Sequence, residues 1–475
     1  MDNQVETIRS WAEDNFGAAH LGDERRVDRV VTIGEAMAVN AGKTIPQMFA
    51  SIYDVKAAYN LFKHEEATPE NLQAGHREKV LSAMAESGVY LLVEDTTAMS
   101  WSGNEPITGL GPIGGGKAGL QGFFLHTVLG LRWELESFNK PDLKRPPVTI
   151  VGIAHQKFFV RKEKSEPAQP SPNESRQQRV RESQRWEESV NGLGESAAGV
   201  RYIHIADREA DIYDYLVGCQ KQGHSYVVRA AQNRALHNEE TGLREGRLFE
   251  KARAAKELGN FKLRLRARDG KAARTAQLKL SWCRVVLSPP KSSKATEPIE
   301  CSVIRVYEEK PPAGSEALEW ILLSDGETEV FEQVLEAVLQ YVTRWVIEEY
   351  HKALKTGLKA ESLQLEHVKR LFAAIAIKSI VALRLIDLKE RVRVSEASPA
   401  QESGLTDLEL EVLRRTTEKP LKTVKDVALQ IGRLGGHMNR KADGMPGWIT
   451  LWRGMEKLRL LVEGVRIAHN LKKFG

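Results

Sequence analysis

From Phe331 to Val346 apolar residues recur at helical spacing, with Phe331, Val334, Leu335, Val338, Leu339, Val342 and Val346 on one stripe. The helix this predicts runs on to Lys355. Residues three, four and seven apart share a face of it, so Tyr341, Arg344, Glu348, Lys352 and Lys355 project roughly together. One face is fit to pack, and the other offers a single carboxylate among cations. Taken alone, such a charged face is more often simply solvated. Two other stretches, Val89 to Val93 and Tyr202 to Ala206, are short continuous apolar runs, the pattern of strands covered on both faces, and each is soon followed by an aspartate, Asp95 and Asp207. Between Phe261 and Leu280 the pattern changes to alternation and predicts two strands around an Asp-Gly turn, with Leu263 and Leu265 on one side and Lys262, Arg264 and Arg266 on the other. The apolar stretch from Leu371 to Leu388 contains Lys378, Arg384 and Asp387, which predicts a packed core helix rather than a membrane span. Lys164 to Ser175 is rich in Pro and Ser and predicts an exposed loop; Ser395 to Thr406 reads as a second, followed by helical periodicity to the end.

Strands alternating with helices over this length predict an α/β class with two or three domains, since 475 residues give ample core and 41% hydrophobic content argues against global disorder. The net charge of +5 permits nucleic-acid binding without demanding it. Local charge says more. Arg25, Arg26, Arg29, Lys43, Lys56 and Lys63 recur among helix-like segments, and such cations grip phosphates, although Asp23, Glu24 and Asp28 are equally able to pair with the arginines. Cys219, Cys283 and Cys301 are odd in number and lack Cys-x-x-Cys spacing, so neither a disulfide framework nor a zinc site is expected. With no basic and apolar leader at Met1, the default is a reducing cytoplasm.

The two aspartates acquire meaning together. In open α/β sheets chemistry gathers at the carboxyl ends of the strands. Asp95 and Asp207 on adjacent central strands, with Glu348 supplied by a packed helix, would form an all-oxygen cage of the kind preferred by Mg²⁺ or Mn²⁺, and a pair of such ions clamps the attacking and leaving oxygens of a phosphoryl transfer. Either aspartate alone is as well explained as a cap. One lookalike is set aside: Gly111 to Ala118 approaches a nucleotide-binding loop, but Ala118 lacks the hydroxyl and the following Gly122 to Leu129 reads as a strand.

Several stretches now line up with one family. Glu94-Asp95-Thr-Thr-Ala-Met-Ser, Ala206-Asp207-Arg208-Glu209-Ala-Asp211-Ile-Tyr, and the spacing of Tyr341, Arg344, Glu348 and Lys355 resemble the DDE transposases of the insertion-sequence-four family. Leu21-Gly-Asp-Glu-Arg25-Arg26, Ala41-Gly42-Lys43, Trp320-Ile-Leu-Leu, Arg433-Leu-Gly-Gly436, Trp448 and Trp452 match in the same order, so the resemblance extends over essentially the whole chain.

The resemblance implies a ribonuclease-H-like catalytic core at 76–393, interrupted by a β-rich insertion at about 236–325. A helical domain at 1–75 would bind transposon ends, and a helical domain at 394–475 would dimerise. It implies that Asp95, Asp207 and Glu348 hold two Mg²⁺ ions, replaceable by Mn²⁺, and that Tyr341, Arg344, Lys355 and, less directly, Lys352 hold the phosphate at the cut end. Trp320 would receive a flipped base, and Arg208, Glu209, Asp211 and Arg229 would orient the site or touch DNA, where local ion pairing serves as well. Arg25, Arg26, Arg29 and Lys43 would lie on the end-binding surface. The implied reaction is cut-and-paste transposition through a hairpin, with inverted terminal repeats and target DNA as partners and a dimer in the DNA complex. A regulator derived from a transposase that no longer cuts, and a simple ribonuclease-H-type nuclease, are the alternatives.

Overall fold

The computed structural model describes residues 8–102, 107–114, 119–134, 145–161, 184–265, 273–326, 329–440 and 443–471. Lys164 to Ser175, the glycine-rich stretch at 115–118, Arg266 and the Asp269-Gly270 turn lie outside them.

Besides two single turns, four longer helices precede the first strand: α1 (Ile8–Phe16), α2 (Glu24–Val39), α3 (Ile52–Lys63) and α4 (Ala74–Met84). Asp23 caps α2 by accepting from the Arg25 amide, and Ser51 caps α3 through the Tyr53 amide, which satisfies donors that a helix start leaves free. Their apolar faces join Trp11, Phe16, Ile33 and Leu61 to the main core.

A twelve-stranded sheet crosses the middle of the molecule. β1 (Gly88–Trp101), β2 (Gln121–Trp133) and β3 (Thr149–Phe159) are successive antiparallel neighbours, and β4 (Val200–Ala206) and β5 (Ser225–Arg229) add in parallel on the other side of β1. Between β3 and β4 lies α5 (Gln184–Leu193), and between β4 and β5 lies α6 (Tyr213–Lys221), as parallel pairing requires a crossover. The alternating stretch forms β6 (Glu257–Leu265) and β7 (Arg274–Leu287), paired from Arg274↔Leu265 onward, with Phe261 and Leu263 buried and Lys262 and Arg264 exposed. β8 (Ile299–Tyr307) and β9 (Glu319–Ser324) follow, and β9 pairs with β5 through Leu322↔Arg229. The β-rich segment therefore extends the same sheet.

Alternation divides the core in two. Leu91 and Val93 on β1, with Ile203 and Ile205 on β4, face one way; Tyr90 and Leu92, with Tyr202, face the other. The first face is covered by α7 (Phe331–Thr343), α8 (Trp345–Lys352) and α9 (Val368–Val394), the second by α4, α5 and α6. α9 is buried along most of its length, as its composition predicts. No helix among the described residues is long and apolar enough to cross a membrane.

The last helices are α10 (Asp407–Arg415), α11 (Val424–Leu434) and α12 (Trp448–Leu471), the first two started by capping boxes from Thr406 and Thr423. α11 and α12 touch backbone to backbone: a Cβ on Gly454 would stand 1.8 Å from the Ile431 carbonyl oxygen, so only glycine fits.

Candidate active site

The parallel register of β1 and β4 runs from Gly88↔Val200 to Val93↔Ile205. Two residues further along each chain come Asp95 and Asp207, so the register carries the two acids to neighbouring positions, on strands about 4.8 Å apart. Both continue the alternation of Val93 and Ile205, on the face covered by α7 and α8. β1 does not stop at Asp95 as its apolar run suggests, because β2 goes on pairing with it to Trp101↔Gln121 after β4 has ended. Asp207 follows β4 directly and caps the single turn Arg208–Ala210 by accepting from the Glu209 amide at 2.8 Å.

Glu348 arrives from α8. α7 and α8 are almost one helix, interrupted at Arg344, whose backbone stays helical. Beyond Lys352 the chain winds into a π turn, Ala353–Gly357, which carries Lys355. The guanidinium of Arg344 forms an ion pair with Glu348. Burial would lower the Arg344 pKa, but the charges of Tyr341, Glu348, Asp95 and Asp207 outweigh it and raise it. Arg344 thus feels all three acids, and the protein itself places a cation where their fields overlap.

Asp95 is largely enclosed, its side chain 18% exposed. Burial would push its carboxyl up, yet the contact and charge of His351, the charge of Arg344 and the Thr96 amide hold it below its ordinary value. His351 Nδ1 stands 3.6 Å from Asp95 Oδ2, and the Thr96 amide donates to Oδ1 at 2.9 Å. His351 lies on the same helical face as Arg344 and Glu348, seven residues after the first and three after the second. That spacing was the available signal for it. Lys355 donates to the Ala98 carbonyl of β1 at 2.5 Å; burial lowers its pKa while Glu361 and Asp95 oppose the shift.

Tyr341 is not on the exposed face that helical spacing predicts. It is buried, packed edge-on against Trp320 with centroids 5.5 Å apart and hydrogen-bonded to Arg229. Trp320 itself is half-buried, and Arg229 also donates to the Glu319 carbonyl at 3.1 Å. Lys352 and Arg208 are exposed. Asp211 is taken up by structure: it accepts from the Ala231 and Gln232 amides and from Arg234, which fixes the turn after Asp207. At the N-terminal helices Arg25 pairs with Asp23, Arg29 pairs with Asp54, Arg26 donates to the Leu21 carbonyl and Lys43 to Asn40.

Among the described residues no group of three or more His, Cys, Asp or Glu stands ready to hold a metal ion. Glu348 is instead engaged in its ion pair with Arg344. The donor chemistry nevertheless fits a hard divalent ion: three carboxylates, with an internal positive charge held among them.

Family models match the chain at both ends. Residues 8–67 match a transposase DNA-binding model, and residues 410–475 match the dimerisation domain of the Tn5 transposase. At both ends the chain is similar to Tn5-like transposases. The DNA-binding match covers α1 to α3, with Arg25, Arg26, Arg29 and Lys43, and the dimerisation match covers most of α10 and all of α11 and α12. The matches thus give the chain a DNA-binding region and a dimerisation region, and the acidic site lies between them.

Proposed function

We propose that this chain is a cut-and-paste transposase of the insertion-sequence-four type, which binds inverted transposon ends, cuts them at Asp95, Asp207 and Glu348, and joins the freed 3′ ends to target DNA. The observation that carries the reading is the parallel register that sets Asp95 beside Asp207 under the helix bearing Glu348. The strand order β3-β2-β1-β4-β5, three antiparallel and then two parallel, supports a ribonuclease-H-like core spanning roughly 76–393.

Asp95, Asp207 and Glu348 would together hold two Mg²⁺ or Mn²⁺ ions. Bound there, such ions activate water near neutral pH and offset the charge of a phosphoryl transition state. The chain's own residues do the rest. Arg344 now pairs with Glu348, and with that carboxylate turned to a bound cation its planar fork would be free for a phosphate oxygen pair. Lys355 is held against β1 just past Asp95, within reach of the same phosphate, and Lys352 adds an exposed charge one helical turn from Glu348. Tyr341 offers a hydroxyl, while Trp320 beside it presents a half-buried ring on which an extruded base would stack, as a hairpin route requires. Arg229 holds Tyr341 in place. His351 packs against Asp95 and limits its rotation.

The regulator reading shares every feature of the two terminal regions and differs only in the acids. Candidate inverted repeats in the flanking DNA supply the substrate. On a labelled duplex bearing them, Mg²⁺-dependent cleavage and joining by the native chain, both lost in Glu348→Ala with end binding kept, is the expected result. Specific binding without cleavage by either protein would overturn it in favour of the regulator. Cleavage without joined products would point to a plain nuclease.

A further inference from the structure

Behind Asp95, on the opposite face of the sheet, lies a buried polar layer that none of these steps uses. Glu94 precedes Asp95 on β1 and is 0% exposed, and alternation sends its side chain away from the acids. It accepts from Tyr215 Oη at 2.5 Å and Ser189 Oγ at 2.8 Å, makes a short contact with His204 Nδ1, and lies 3.5 Å from His126 Nε2, an ion-pair distance rather than a hydrogen bond. His204 Nε2 stands 3.0 Å from His224 Nδ1. Thr96, on the other side of Asp95, is tied to the same layer through His126 Nδ1 at 2.9 Å and Arg185 Nε at 3.1 Å. Both neighbours of Asp95 are therefore anchored, in a layer built from β2, β4, α5 and α6.

This arrangement spans the two strands that carry the aspartates. His204 sits on β4, paired with Leu92 and three residues before Asp207, so its contact with Glu94 runs diagonally from β4 to β1. Tyr215 belongs to the helix that follows Asp207. A slip of one residue between parallel strands would turn every side chain to the wrong face, and the apolar residues around these acids are alike enough to tolerate neighbouring registers. A single buried acceptor with donors from three other elements does not tolerate them.

We propose that Glu94 is a positioning residue: its contacts with His204, Tyr215 and Ser189 lock β1 to β4 in the register that brings Asp95 beside Asp207. The inference rests on the reading of those aspartates as cation ligands. Its test is Mn²⁺ binding to the full chain, followed by loss of the free-ion signal in electron paramagnetic resonance, which requires no DNA cleavage. The native chain should bind Mn²⁺ and Asp95→Asn should not. Glu94→Ala, folded by circular dichroism, should bind about 10- to 100-fold more weakly, as loss of an outer support does at metal sites. Glu94→Gln should recover most of the affinity, because a carbonyl at the Oε1 position still accepts from Tyr215 and His204 while the amide at the Oε2 position donates to Ser189 Oγ, whose own proton goes to the Trp186 carbonyl. If Glu94→Ala does not fold, Tyr215→Phe combined with Ser189→Ala carries the test, with a severalfold weakening expected. Native affinity in folded Glu94→Ala or in that double variant, or equal weakness in the Gln and Ala variants, overturns the inference alone. A native chain that fails to bind Mn²⁺, or an Asp95→Asn chain that binds it equally well, overturns both the inference and the reading beneath it.

Discussion

Lys378 sits in the middle of α9, 1% exposed, and donates to one acceptor, the Leu358 carbonyl at 2.8 Å, just past the π turn that carries Lys355. Burial pushes its pKa from 10.5 down to about 8. Between those two pH values an unfolded chain keeps this proton and the folded chain does not, so unfolding takes up a proton and stability rises with pH; below about 8 both forms are charged and the burial cost is constant. The cost amounts to about 3 kcal/mol. Against it stands the Leu358 carbonyl, which loses its donor in Lys378→Met at a penalty of about 1–3 kcal/mol. Near pH 7 the two proteins should therefore have similar stability. From pH 8 to 10.5 the native chain should gain on the methionine variant by up to about 3 kcal/mol, read from parallel denaturant titrations. Curves that stay parallel across that range would show that the lysine is not buried as a charge. Single residues of this kind are hard to read in advance. Lys378 was legible as a break in an apolar helix, but not its acceptor, and Glu94 stood next to a candidate acid with nothing in its spacing to reveal four partners from distant segments. Tyr341 misled for a related reason: helical spacing gives a direction from the axis, and the neighbour met in that direction, Trp320, comes from another strand.

At the scale of elements, patterns that depend on local periodicity came through and those that depend on partners did not. The alternation at 261–280 gave a hairpin with its register and its buried side, because a two-residue period is set by the strand itself. The length of β1 was not legible, since its second half is held by β2 and contains polar Asp95, Thr96 and Thr97 amid that pairing. The helix from Phe331 to Lys355 was legible in extent, yet the change to a π turn at Ala353 moves Lys355 off its 3.6-residue position and onto the edge of β1. The hairpin carries a prediction of its own. Lys279 is neutralised by Glu257 and Glu309, and Arg274 by Glu308, which leaves Lys262 and Arg264 as exposed cations on β6. If this face tracks a DNA backbone, Lys262→Ala with Arg264→Ala should reduce the slope of log affinity against log salt concentration by about 2. Fluorescence anisotropy with a labelled end duplex measures it, and an unchanged slope would assign the hairpin a purely structural role.

The whole molecule places its DNA-binding region and its dimerisation region at opposite ends of the chain, and folds both against the same central unit through α9, which touches α2 and α3 as well as α12. If the chain cuts and joins two ends together, as proposed, end capture and pairing both serve the acidic site. α12 lies within the region that matches a dimerisation domain. Its inner face packs Leu451, Met455, Leu458 and Val462 against the C-terminal core, while Leu460 and Ile467, seven residues apart on the opposite side, are left exposed, Leu460 by 73% and Ile467 by 53%. Two large apolar side chains so placed in water forgo about 1.5–3 kcal/mol each that full burial would return. Because this segment matches a dimerisation domain, the occupant expected for these side chains is a second copy of the chain. Replacing Leu460 and Ile467 by Asp should leave α12 packed, since both lie on the side opposite the inner face, and should leave binding of one duplex end intact. Pairing should weaken by about 100-fold or more, because carboxylates buried in an apolar seam cost at least about 3 kcal/mol. Light scattering of the protein on end duplex should then give the mass of one chain with one end where the native protein gives two with two. A paired mass in the variant would move the interface elsewhere on the C-terminal helices, and loss of single-end binding would mean that α12 supports the fold rather than the dimer.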